Sequence, residues 1–432
     1  MKHILRILSL FLVMILTAAC TSAPEAAGAT LLAAPKKTEV RGMKKTGASV
    51  GERQQYREGF TDALTAFSAR AVRAALREDT ENALISPASL YFALAALSGG
   101  AEGETKAELL SALGMAEGMT AAETAKLGYN LNIEDQMGEI RSAGSFWLNS
   151  GFSPSLDAEA VKRLAETYRM DVYESDFASK KAAKQIGAWV QDKTGGKLGN
   201  GEGEFSADPE TALMLLHTLY YRDEWHDRFN KDKTAADTFT NADGSKTECD
   251  FMNTTYSVHT FSRYEGEGAS CTISSLSLKH GSMMFILPDE GLTPYDILRD
   301  ENALDAILSG STESYAGEVV WQIPKFSYAA ETELSDALKA MGVQQAFDME
   351  NADFSALLKA ENEMPLWVGG VKQNMRIGID ENGVEAAGYT RIDYAGCPMP
   401  TDRADMILTR PFLYAIRSEG SVLFFGILNT MK

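Results

Sequence analysis

Helices and strands follow one another in this 432-residue chain without a regular βαβ rhythm, which predicts an α+β domain. Helical periodicity dominates the first third of the folded part, and strand-like runs mixed with shorter helices fill the rest. The 45% of hydrophobic residues against 23% charged supplies enough apolar material for one large core. Charge excludes one class of partner. The 41 Lys plus Arg against 60 Asp plus Glu leave −19, the wrong sign for gripping a phosphate backbone, so no nucleic-acid partner is expected. Cysteines at 20, 249, 271 and 397 are too few and too dispersed for a disulfide scaffold or a Cys-rich metal site.

The first residues read as a secretory signal. Lys2 and Arg6 precede an apolar run from Ile7 to Leu16, too short to span a bilayer comfortably, and Thr17-Ala18-Ala19-Cys20 follows. Small residues leading into a cysteine resemble a bacterial lipobox, with Thr17 where Leu is commoner. Residues 1-19 are therefore expected to be a lipoprotein signal peptide, Cys20 to carry the lipid, and 20-53 to be a flexible tether with few large apolar side chains. A diacyl anchor at Cys20 would hold the protein stably at the cell surface. Gly47-Ala48-Ser49-Val50-Gly51 matches a hydrolase nucleophile elbow, but it lies in this segment without the strand and helix that such an elbow needs.

From residue 54 to 432 the chain reads as one domain without a repeat or second linker. Tyr56, Phe60, Leu64, Phe67, Ala71 and Ala74 recur at helical spacing. Ser86 and Pro87 can cap and open a helix bearing Leu90, Leu94 and Leu97, which stops at Gly99-Gly100. Thr105 and Glu108 suggest a capping box ahead of Leu109, Leu110 and Leu113. Further helices are expected near 158-169, 180-192 and 331-341. Strands are expected at 145-149, 212-221, 271-278, 283-287, 319-323 and 422-428.

Catalytic motifs are lacking. His217, His226, His259 and His280 form no H-E-x-x-H, and no C-x-x-C, S-x-x-K or Walker loop occurs, so each histidine is read as structural or superficial. The informative segment lies near the C-terminus. Glu381, Gly383, Val384, Glu385, Ala386, Ala387, Gly388 and Thr390 belong to an alternating stretch in which Val384, Ala386, Gly388, Thr390 and Ile392 share one uncharged face. Tyr394 to Arg403, punctuated by Pro398 and Pro400, reads as an exposed loop. A strand-competent stretch leading into an exposed loop is able to change state.

These residues resemble the serpin family. Asn82 to Leu90 is similar to its Asn-x-x-x-Ser-Pro-x-Ser signature, and Gly383 to Thr390 to its small-residue hinge. Leu213 to Trp225, Ile323-Pro324-Lys325-Phe326, Asp353-Phe354-Ser355, Pro411-Phe412 and Leu423-Phe424-Phe425-Gly426 resemble further family elements in order, with His217 where Asn is usual. The resemblance implies three β-sheets, about eight to nine helices and an exposed reactive-centre loop. It also implies an inhibitor rather than an enzyme, a monomer that uses no cofactor and traps serine endopeptidases, with cysteine endopeptidases as a further class, when the cleaved loop inserts into the main sheet. A non-inhibitory binding protein at the cell surface is the alternative within the family.

Physical magnitudes agree with such a trap. About 10–15 new backbone hydrogen bonds, each contributing ~0.5–1.5 kcal/mol net, sum to the order of 10 kcal/mol. Inserting about a dozen residues moves the cleaved end by roughly 40 Å. Family spacing counted forward from Gly383 implies a scissile bond at or beside Cys397, and counted back from Pro411 one near Pro400. The bonds after Cys397 and Met399 lead into proline, which leaves those after Tyr394, Ala395, Gly396 and Pro398. Gly396-Cys397 is favoured, with Cys397 the runner-up specificity residue for a target that tolerates proline. The absence of Lys and Arg from 394 to 402 favours elastase-like or subtilisin-like partners over trypsin-like ones.

Overall fold

The computed structural model describes residues 29–36, 40–43, 49–151, 156–194, 196, 209, 211, 213–360, 365–384 and 402–431. Strands β1 (Thr30–Ala33), β2 (Gly42–Met43) and β3 (Ser49–Val50) precede α1 (Phe60–Ala75), β4 (Ala83–Ile85), α2 (Pro87–Ser98), α3 (Gly103–Leu113) and α4 (Glu117–Asn130). Next come β5 (Ile133–Glu134), β6 (Gly138–Asn149), α5 (Ala158–Tyr168), β7 (Met170–Ser175), α6 (Lys180–Lys193) and β8 (Leu213–Glu224). The following stretch holds β9 (Ala235–Thr240), β10 (Lys246–Gly266), β11 (Ala269–Ser277), β12 (Ser282–Pro288), α7 (Pro294–Arg299), α8 (Ala303–Ser309), β13 (Glu313–Pro324), β14 (Phe326–Glu333) and α9 (Ser335–Ala340). Strands β15 (Lys372–Ile379), β16 (Gly383–Val384), β17 (Asp402–Ile407), β18 (Phe412–Ser418) and β19 (Ser421–Leu428) complete the α+β arrangement.

A six-stranded sheet runs β1-β7-β6-β8-β16 with β5 on β6, and a nine-stranded sheet runs β17-β13-β10-β11-β12-β18-β19-β4 with β9 on β10. Strands β14 and β15 form their own antiparallel ladder, as do β2 and β3. Helix α2 occupies the centre, against β8 on one side and β19 on the other. All twelve of its residues are buried, as a helix that is apolar all round requires. Ser86 accepts the amide of Ser89 and Pro87 takes the first turn, as the sequence leads one to expect. A second cluster, Trp147, Tyr173, Phe177, Ile186, Trp189 and Val190, packs α6 onto β6 and β7, with Trp147 stacked on Tyr173 at 4.6 Å.

Three sequence expectations need correction. Helix α3 starts at Gly103, so Thr105 and Glu108 lie inside it and form no capping box. Thr105 Oγ1 instead accepts the Asp353 amide at 2.9 Å, and Glu108 Oε2 accepts the Gln344 and Gln345 amides at 2.7 Å each, so both serve the neighbouring loops. Residues 331–333 belong to β14, and the helix expected there is confined to Ser335–Ala340. Helix α1 begins at Phe60, leaving Tyr56 ahead of it, against the Phe60 ring at 5.0 Å.

The segment read as tether is also partly built into the fold. Strand β1 pairs antiparallel with β7 and covers that edge of the six-stranded sheet. Arg41 donates to the Asn130 carbonyl at 2.6 Å and to Glu419 Oε1 at 2.8 Å, and Arg53 reaches Glu419 Oε2 at 2.5 Å. Composition misses this docking because the contacts are made by backbone edges and isolated charges. Replacing Glu419 with Gln leaves half-buried Arg41 without its counter-charge, so we expect destabilisation of about 1.5–3 kcal/mol. Limited proteolysis within residues 29–53 should accelerate in the variant, and unchanged cleavage would show that the arm is held by β1 alone.

Candidate functional site

A slit separates the two central strands. Along β8, residues Leu213 to Asp223 pair with β6, while its other edge pairs, among the described residues, only with Gly383 and Val384. Strand β15 pairs with β14 on one edge and faces β8 across the gap with the other. The gap is a cavity of about 340 Å³ whose walls are Leu216–Tyr221 on one side and Lys372, Gln373 and residues 375–378 on the other. Ser89 of α2, Ile416 and Phe424 contribute its inner lining, and Val190 of α6 and Thr194 just past its end also line it. A smaller cavity of about 50 Å³ continues toward Leu213, Leu215 and Val368. Two strand edges that face each other across a slot without pairing to one another have the geometry by which strand addition works.

The mouth of the slit is already occupied. Asp380 and Gly383 form a tight turn with reciprocal backbone bonds of 3.0 and 3.3 Å, from which Gly383 and Val384 hook onto Glu224 and Asp223. Gly383 has φ 155°, and a Cβ there would collide with the Asp223 carbonyl, so only glycine makes this approach. Val384 is buried and faces the cavity. Glu381 anchors the turn: its Oε1 accepts from Thr234 Oγ1 at 2.8 Å and lies 3.1 Å from Lys325 Nζ. Burial opposes its ionisation, but its own backbone amide, Thr234 and Lys325 hold the carboxyl below its ordinary range. The Trp225 indole donates to the Asp380 carbonyl at 2.8 Å, and the Trp225 and Phe229 amides donate to Asn382 and Glu381.

Polar side chains brace the middle of the slit. Gln373 on β15 accepts the Ser86 amide and donates to the Ser86 carbonyl, both at 2.9 Å, tying that wall to the start of α2. His217 on β8 stacks on Phe92 at 4.8 Å, and its Nε2 lies 3.2 Å from Ser142 Oγ. Its Nδ1 is buried without a hydrogen-bond partner among the described residues, and burial pushes the imidazole down to about 3.

Of the residues nominated from sequence, Glu381, Gly383 and Val384 are brought together at the mouth of the slit. Cys20, Glu385, Ala386, Ala387, Gly388, Thr390, Gly396 and Cys397 lie outside the described residues. Sequence reasoning missed Gln373, Thr234, Asp223 and Trp225 as parts of the site; only the match of Leu213–Trp225 and Ile323–Phe326 to family elements pointed to their neighbourhood. Among the described histidines only His217 stands beside a side-chain hydroxyl, Ser142 Oγ at 3.2 Å; His280 binds two carboxylates, His259 Nε2 lies 3.0 Å from the Ser275 carbonyl and His226 faces Asp227.

The family described as Serpin (serine protease inhibitor) matches residues 62–430. Serpin-Z1C of Triticum aestivum is 30% identical over 366 residues, covering 80% of this chain and 89% of that protein. The crystal structure of the thermophilic serpin tengpin in the native state is similar at TM-score 0.74 and 25% identity, covering 88% and 96% of the two chains. Thyroxine-binding globulin in complex with thyroxine shares the fold at TM-score 0.67 and 22% identity over 87% of this chain and 99% of that one.

His217 is held neutral in the fold and regains its affinity for a proton on unfolding. Its contribution is full above its ordinary value of 6.5 and is lost as pH falls toward 3. The melting temperature of the wild type should therefore drop more steeply between pH 6.5 and 4 than that of His217→Asn. Parallel melting curves for the two proteins would contradict the burial argument.

Proposed function

The chain belongs to the serpin family, and on that premise we propose that it is a suicide-substrate inhibitor of serine endopeptidases. The protease cleaves the reactive-centre loop as a substrate, the loop enters the sheet as an added strand, and the acyl-enzyme is trapped before water releases it. The observation that supports this reading is the β8–β15 slit, with Val384 already seated at its mouth and the loop sequence starting at the next residue. The intact state then stands behind a kinetic barrier, with on the order of 10 kcal/mol of ladder formation in reserve.

Gly396-Cys397 is the proposed scissile bond, with elastase-like or subtilisin-like enzymes as targets. The proposed location is the bacterial cell surface, reached by secretion across the cytoplasmic membrane and kept by diacylation of Cys20. Mass spectrometry of the mature N-terminus tests the anchor: a lipid-free terminus refutes it.

A second reading, a non-inhibitory binding protein, is supported by a separate cavity of about 470 Å³ near Tyr295, Arg410 and Asn429, and by the fold shared with a globulin that carries thyroxine. One experiment separates the two. The inhibitor forms an SDS-resistant complex with a protease from a panel of elastase, subtilisin, trypsin and a papain-like enzyme, and its melting temperature rises sharply after the loop is nicked. A binding protein does neither.

Val384→Arg buries a charge on the inserting face and should convert inhibitor into substrate, with cleavage intact and complex yield down at least tenfold. Cleavage at Gly396-Cys397 releases residues 397–432, and a fragment beginning outside 395–401 overturns the scissile assignment.

A further inference from the structure

Asp223 ends the free edge of β8 at the residue onto which Val384 hooks, and its carboxylate is one arm of a three-residue cluster. His280, between β11 and β12, places Nδ1 2.9 Å from Asp223 Oδ1 and Nε2 2.9 Å from Asp135 Oδ2. Asp135 belongs to the turn between β5 and β6. The side chains are 12%, 0% and 2% exposed for His280, Asp223 and Asp135. Solvent therefore screens none of the charges effectively.

Hydrogen-bond accounting assigns the proton. Asp223 Oδ2 accepts from the Tyr221 hydroxyl at 3.0 Å and the His280 amide at 2.7 Å, and Oδ1 accepts the Glu224 amide at 3.0 Å. Asp135 Oδ1 accepts the Met137 and Gly138 amides. Both carboxylates are thus surrounded by donors, as ionised groups require. With a carboxylate oxygen at each imidazole nitrogen, both nitrogens must donate, and only the imidazolium does so. Burial opposes that charge, but the bonds and charges of Asp223 and Asp135 hold His280 above its ordinary value. Burial also opposes the Asp135 charge, yet His280 and the two amides keep its carboxyl low.

The remaining neighbours do not replace His280. Tyr221, from β8, is a buried phenol raised well above its ordinary value, and Ser418 from β18 donates to the His280 carbonyl at 2.6 Å. Burial lowers the guanidinium of Arg417, next to Ser418, from its ordinary value. Glu224 is paired with Arg228 at 2.5 Å, and Lys279 Nζ donates to the His226 carbonyl at 3.3 Å.

We propose that Asp135, His280 and Asp223 form a proton-operated catch on the slit: charged His280 pins the β8 tip and the Gly383–Val384 hook to the turns before β6 and β12, and deprotonation releases the tip to admit the loop. This rests on the inhibitory reading and names the regulation of the same site. Backbone bonds from Lys279 to Glu224 and from His226 to Ser277 persist at any pH, so the catch is the titratable part of a larger attachment. A raised folded-state value means that the stabilisation is full below pH 6.5 and is lost as pH rises through that raised value. The catch opens on the alkaline side.

The test uses the intact, uncleaved protein. Histidine labelled with carbon-13 at the ring Cε1 reports titration by NMR, with the His280 resonance assigned by its disappearance in His280→Gln. Separately, the protein is held just below its melting temperature at pH 6 to 9, and its conversion to a heat-stable inserted form is timed. We expect His280 to titrate above 6.5 and conversion to accelerate at least fivefold with the same midpoint. His280→Gln should lose the pH dependence. Asp135→Asn, which keeps the imidazole in place, should move both midpoints to lower pH, and it keeps the proposal testable should His280→Gln fail to fold. Titration at or below 6.5, or one rate profile shared by wild type and Asp135→Asn, overturns the catch alone. A protein that converts at no pH and traps no protease overturns the inhibitory reading and the catch together.

Discussion

Two strand edges that face one another without pairing set the terms for the rest of this molecule. Backbone donors and acceptors inside a protein are nearly always satisfied, and strand edges are normally paired or covered. Here β8 and β15 line opposite walls of one cavity, and among the described residues only the two-residue β16 bridges to β8. Among the described residues the space between those two strands is thus bridged only at its mouth, by Gly383 and Val384.

Those walls are held by polar contacts placed at a few points. The Gln373 amide pairs with both backbone groups of Ser86, Glu381 is gripped by Thr234 and Lys325, and the Trp225 indole donates to Asp380. Buried ion pairs contribute little net stability, because desolvation offsets most of their attraction, but losing one partner is expensive.

The far edge of the six-stranded sheet follows a different logic. Strand β1 covers β7, and Arg41 and Arg53 converge on Glu419 in the turn between β18 and β19. A segment whose composition suggests a tether thus spans two sheets before the first helix begins.

The sequence by itself determined the local elements. Ser86 and Pro87 dictate the start of α2, and Gly383 and Val384, where the alternating stretch begins, form a short strand. Capping, periodicity and turn chemistry act over a few residues, so they can be read from a few residues. Tertiary structure alone decided that β8 and β15 would stand apart, that Thr105 and Glu108 would serve neighbouring loops, and that His280 would meet partners 57 and 145 positions away. Strand partnership depends on which edges remain after distant elements have packed, and a buried charge finds its counter-ion only in that assembly. Neither leaves a local pattern in the chain.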